Sequence, residues 1–142
     1  CAAAGRWWSG SWDAGRRRLF SRDVGAKLPL LAMAAVWRRL AGLSGFTSIG
    51  FATYGAHGLK TDDPALRTTM ENGVRLHMLH SAMLAVCPLL PRPALSGALY
   101  LGGIVVFSGS CYAAVLTQDR RNGRFAPIGG TMLALGWLSL VI

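Results

Sequence analysis

The chain has 142 residues, 52% of them hydrophobic and only 15% charged, which is too apolar for an ordinary soluble domain of this length. Its formal net charge of +9 divides into +4 from residues 1–32 (six Lys/Arg, two Asp) and +5 from the rest (nine Lys/Arg, four Asp/Glu). In neither part do the basic residues form a face interleaved with polar and stacking groups. They flank apolar stretches, which excludes a nucleic-acid footprint and suits topology determinants and lipid-headgroup anchors.

After Arg39 every charged residue falls in Lys60 to Arg75, at Arg92, or in Asp119 to Arg124. Four uncharged stretches of 16 to 26 residues remain, at 40–59, 76–91, 93–118 and 125–142. A hydrocarbon core of about 30 Å needs roughly 20 helical residues. The expected fold is therefore all-α: a membrane-embedded bundle of four transmembrane helices with short loops, spanning about 40–59, 74–91, 94–116 and 126–142. Residues 1–35 are read as an N-terminal extension and 36–142 as the membrane domain.

The extension combines Trp7, Trp8, Trp12, Arg16-Arg17-Arg18, Arg22 and Lys27 with small residues and no apolar period. It reads as a disordered or targeting segment, although Asp13 and Asp23 depart from an acid-poor transit peptide. A second reading makes Leu28 to Trp37 the apolar centre of a signal peptide, too short at ten residues to span. A third, which we favour, makes Met33 the initiator and the preceding residues upstream sequence.

In the first span Ala41, Gly45, Ser48, Ala52 and Gly55 recur at spacings of four and three, on one helical face. In lipid, small residues let helix backbones approach, so this face is expected to pack. The following loop holds Asp62 and Asp63, either of which can cap a short interfacial helix begun by Pro64. The link from the second span to the third, PLLPRP, makes those two spans antiparallel neighbours.

The third span repeats the device at Ala98, Gly102, Val106, Gly109 and Ala113, and the fourth at Ala126, Gly130 and Ala134. Asn122-Gly123 is the expected breaker between them. Trp137, near the far end of the fourth span, fits an aromatic-belt position. With four spans, both termini share a side with Arg92. That side carries nine Lys/Arg against six if the extension is counted, and three against six from Met33, so the positive-inside rule reverses with the start.

The chemistry is concentrated in three histidines. His57 ends the first span, and His77 and His80 open the second one turn apart, so all three are expected near one membrane surface. Imidazoles at i and i+3 can share a metal or ligate haem, with Glu71, Asp62 or Asp63 as a further ligand, while the plainer reading makes them polar interface residues. Cys1, Cys87 and Cys111 have neither metal-type spacing nor an even count for disulfides. No phosphate-binding Gly-Lys loop, GxSxG elbow, dinucleotide site or intramembrane carboxylate pair is present, so neither a catalytic residue nor a cofactor is expected.

The segments RRLAGLSGFTSIGFATYGAHGL, LHMLHSAML and APIGGTMLALGWLSLVI, in this order and spacing, resemble the transmembrane protein 256 family. The likeness covers about Val36 to Ile142, and YGAHG (Tyr54 to Gly58) and APIGG (Ala126 to Gly130) carry it most specifically. The resemblance implies a multi-pass membrane protein without an established activity, with bacterial inner-membrane relatives and a mitochondrial inner-membrane location in animals. His57, His77 and His80 fall within the family-like motifs, but the resemblance supplies no agreed active site.

The residues thus point to a non-enzymatic accessory or assembly component, in contact with the bilayer and packing against membrane-protein partners or its own copies. The alternatives are an oligomeric small-solute or ion transporter, with Thr47, Ser48, His57 and His80 along a route, and a histidine-based metal or haem redox accessory.

Overall fold

A computed structural model describes residues 9–141, with side chains from residue 28 onward. The chain divides into two compact units, Cys1–Ala35 and Val36–Ile142. Residues 1–8 and the side chains of 9–27, on which the targeting and upstream readings rest, lie outside what is described.

Among the described residues the chain is all-helical, with four α-helices and no strand. Helix α1 (Ser9–Thr53) passes into a π-helical turn at Tyr54–Gly58, α2 spans Pro64–Val86, α3 Pro93–Leu116 and α4 Ala126–Leu138. Two short 3₁₀ segments, Cys87–Leu89 and Arg120–Phe125, complete the path. Proline stands at the first turn of α2, α3 and α4, where its missing N–H removes no helical bond. Asp63 caps α2 by accepting from the Ala65 N–H at 2.9 Å.

Within Val36–Ile142 the contact register gives the topology. Gly45 meets Ser81 and Gly55 meets Met70; Gly73 meets Tyr112 and His80 meets Tyr100; Gly103 meets Leu133 and Gly136 meets Tyr100. In each pair of neighbouring helices one number rises as the other falls, so successive helices run antiparallel. Helix α3 is central: it packs along α2 and α4, and α1 reaches it through Trp37 on Gly97 and a Phe51–Tyr112 ring stack at 3.8 Å.

Two apolar clusters occupy the interior. One gathers Ala41, Leu84, Cys87, Tyr100, Ile104 and Leu133, and the other Leu59, Leu66, Met70, Tyr112, Ala114 and Val115. In chain order, Ser44, Ser48, His77, Ser81 and Ser108, all buried, fall between these two sets.

The structure departs from the sequence reading in several places. The expected interfacial helix and the second span are one continuous helix of 23 residues, because nothing around Arg75 and Leu76 interrupts it. Helix α4 has 13 residues, about 20 Å, rather than a full crossing length. Beyond it the chain tightens, as Leu140 and Val141 donate three residues back to Trp137 and Leu138.

Asn122-Gly123 is not the breaker, since both lie inside the 3₁₀ segment. The reversal after α3 occurs at Gln118, whose φ is 54°. Asp119 N–H donates to Ala114 and Gln118 N–H to Val115, the pattern of a Schellman turn. A side-chain bond from Gln118 Nε2 to Val115 O, 2.8 Å, helps hold a residue type that disfavours this conformation. Gln118→Gly is expected to raise stability by up to about 1 kcal/mol, read as a higher melting temperature in detergent. A lower one would mean that the side-chain bond outweighs the backbone preference.

Candidate functional site

Four buried residues, Ser44 of α1, His77 and Ser81 of α2 and Tyr112 of α3, form one hydrogen-bonded chain. His77 Nδ1 lies 3.0 Å from the Tyr112 hydroxyl and Nε2 lies 3.1 Å from Ser44 Oγ. Ser44 Oγ is 2.6 Å from Ser81 Oγ, and Ser81 donates to the His77 carbonyl at 2.7 Å. Each hydroxyl has a single proton, and with His77 neutral, as burial without a carboxylate partner requires, this fixes every direction. The carbonyl only accepts, so Ser81 spends its proton there and must accept from Ser44. Ser44, its proton spent, accepts from His77, which therefore carries its hydrogen on Nε2. Neutral His77 then accepts at Nδ1 from Tyr112.

His80 is organised separately. Its Nδ1 lies 2.7 Å from the Leu76 carbonyl, and its Nε2 accepts from the Trp137 indole N–H at 3.0 Å. A carbonyl cannot donate and an indole N–H cannot accept, so His80 is neutral with its hydrogen on Nδ1. The Tyr100 and Trp137 rings flank it, with centroids 5.6 and 6.2 Å away. Trp137 thus has an interior partner in addition to any belt role. The two histidines are expected to show opposite tautomers, which nitrogen-15 NMR of histidine-labelled protein will read directly. Identical tautomers would contradict this geometry.

His57 stands elsewhere, exposed in the π-helical turn. A metal ligand needs an uncommitted lone pair, but that of His77 takes the Tyr112 hydroxyl and that of His80 takes Trp137. Among the described residues no group of three or more His, Cys, Asp or Glu side chains is placed to hold a metal ion. His57, His77 and His80 are therefore not brought together as the ligand set that their sequence positions suggest.

The small-residue faces are placed unevenly. Ala41 and Ser48 are buried, and Gly45, Ala52 and Gly55 are half-buried on the same face. A Cβ on Gly102 would stand 2.5 Å from Met132 Cε, but Gly109 faces open space. Ala113, Ala126 and Gly130 are half-buried and Ala134 is exposed. The closest approach in α4 is one residue earlier: a Cβ on Gly129 would fall 2.6 Å from Phe107 Cα. Gly73, Gly97, Gly103 and Gly136 are further contact points outside the regular four-and-three rows. For Gly103 and Gly129 the sequence held a signal, since each has a glycine neighbour one step away.

At the loop end, Arg120 Nε donates to Asp63 at 2.8 Å in an exposed ion pair. The guanidinium holds the Asp63 carboxyl below its ordinary range. The α1–α2 and α3–α4 connections therefore meet at one end of the bundle.

A family model described as "Protein of unknown function (DUF423)" matches residues 51–130. A UPF0382 membrane protein of Staphylococcus aureus is 34% identical over 110 residues, covering 72% of this chain and 89% of the relative. One from Bacillus subtilis is 32% identical over 112 residues, covering 72% and 90%. One from Schizosaccharomyces pombe is 31% identical over 117 residues, covering 75% and 98%. No solved structure matches. This chain belongs to that family of membrane proteins of unknown function, whose members occur in bacteria and in fission yeast.

Proposed function

We propose that the chain is a multi-pass membrane protein crossing the bilayer four times, and that it serves as a non-enzymatic accessory or assembly component packing against other membrane proteins. The observation that carries this reading is the inverted distribution of side chains. Leu43, Phe46 and Ile49 of α1 are 68%, 78% and 59% exposed, whereas His77 and the serines beside it are buried. Met78, Leu79, Val105, Ile128 and Leu138 extend the outward apolar surface to the other helices. A soluble monomer rarely leaves so much contiguous apolar surface in water, while lipid accepts it.

Among the described residues only α3, with a mean hydropathy of 1.8 over its best window, is long and apolar enough by itself to cross a membrane. The other three crossings are supported by their antiparallel packing and by the Asp63–Arg120 pair, which joins two connections at one end. A mitochondrial inner-membrane location is part of the same proposal and rests on the family resemblance alone. The accessory role is supported by buried histidines and serines committed to bonds of their own, the Tyr100 hydroxyl and the Trp37 indole N–H being the buried polar atoms left without a partner among the described residues. Gly42, Gly50 and Gly109, open on the outside, leave room for a partner's helices.

Purification from native membranes in mild detergent, with cross-linking and mass identification, tests the role: a partner at fixed stoichiometry is expected, and a solitary monomer overturns it. Cysteine-labelling topology tests the four crossings separately. The transporter alternative has less support, because the Ser48 hydroxyl donates to Gly45 O, His80 is held by Trp137, and His57 stands on the exposed turn.

A further inference from the structure

The YGAHG motif, of which the packing role uses only Gly55, forms the π-helical turn Tyr54–Gly58 at the end of α1. A π-turn at a helix C-terminus widens the last turn of the backbone. Here the turn helps to wall a cavity of about 340 Å³. Ala52, Gly55 and Ala56 line it from α1 and its turn and Met70 and Val74 from α2, with Met70 packed against Gly55, so the lining is apolar and the small residues leave the concavity beside that contact. Its rim carries Arg67, Glu71 and Arg75, all exposed and one helical turn apart along α2. The ion pair found among the described residues is Asp63–Arg120, and no ion pair links these three to one another.

We infer that this cavity binds a phospholipid with a phosphoethanolamine headgroup, its phosphate at Arg75, its ammonium at Glu71 and the upper part of an acyl chain on the apolar wall. The inference rests on the reading that α1 and α2 cross the bilayer. The order of groups is the argument. Moving outward along α2 from the uncharged segment that begins at Leu76, the chain presents Arg75, then Glu71, then Arg67. Moving outward along such a lipid, one meets acyl chain, phosphate, then ammonium.

Arg75 to Glu71 is about 6 Å along the helix axis. A two-carbon linker between phosphate and ammonium bridges that span, and the headgroup layer on each side of a bilayer is roughly 5–8 Å deep. A guanidinium suits a phosphate through paired N–H donors, and a primary ammonium donates to a carboxylate. An anionic headgroup without an ammonium would bring its charge near Glu71 and offer that carboxylate at best a neutral hydroxyl, a weaker donor than a primary ammonium. A choline headgroup has no N–H to donate.

The test is native mass spectrometry of the full chain from nanodiscs containing equal parts of POPE, POPC and POPG, counting lipids that stay bound. Resistance to alkaline carbonate extraction from membranes checks the spanning reading independently. Wild type is expected to retain POPE roughly three-fold over POPC and POPG. Glu71→Gln should remove the preference for POPE and raise POPG, and Arg75→Gln should lower retention of all three. A wild type that holds POPG as well as POPE, or an order unchanged in Glu71→Gln, overturns the assignment while leaving carbonate resistance, and so the spanning reading, intact.

Discussion

Gly129→Ala is expected to lower the stability of the bundle by about 3 kcal/mol, an effect at the upper end for overpacking. The added methyl would fall on the backbone of Phe107, 2.6 Å from its Cα. A side chain can change rotamer, but this backbone belongs to the central helix and cannot yield without separating α3 from α4. The adjacent Gly130→Ala is the control. Its methyl would meet the Phe107 ring at 3.7 Å, an ordinary contact, and helix propensity favours alanine by up to about 1 kcal/mol. Gly109→Ala faces open space and should be neutral or mildly stabilising. Thermal unfolding in detergent, followed by size-exclusion recovery, measures all three. Equal stability of the Gly129 and Gly130 variants would mean that α3 and α4 do not meet in this register.

The second large effect is expected from His77→Ala, at about 3 kcal/mol, through two separable causes. Removing the imidazole leaves a cavity beside buried Tyr112 and Ser44, and it also orphans the Tyr112 proton and a lone pair of Ser44. Hydrogen bonds within membrane proteins average only about 0.6 kcal/mol, so the cavity and the orphaned donor together carry most of the loss. Tyr112→Phe alone should cost about 1 kcal/mol, because it leaves His77 Nδ1 without a donor. Added to His77→Ala it should cost little, since phenylalanine has no proton to orphan. The double-mutant cycle reads this coupling, and strictly additive losses would show that the two side chains do not interact.

The sequence carried those parts of the fold that depend on local chemistry. Proline positions marked the starts of α2 and α3, and the aspartate pair before Pro64 bounded the cap to two residues, of which the structure selects Asp63. Matters settled by neighbours were less legible. A glycine pair such as Gly129-Gly130 offers two faces about 100° apart, and only the position of Phe107 decides between them. Likewise, the i, i+3 spacing of His77 and His80 places both on one side of α2, yet one turns to Tyr112 and the other to Trp137. The metal reading followed from that spacing, because partners from other helices could not be seen in it. Gln118 carried no signal at all, since glutamine is an unusual residue for a left-handed turn.

The directed chain from Tyr112 through His77, Ser44 and Ser81 ends on a carbonyl, and this bears on what the interior can do. A proton conduit inverts every bond as a charge passes and must then be reset, which requires two arrangements of similar energy. Here the terminal group can never donate, so no inverted arrangement keeps all four bonds. The chain ties three helices in a single polarity: it behaves as a brace, and mobile protons would have to travel elsewhere.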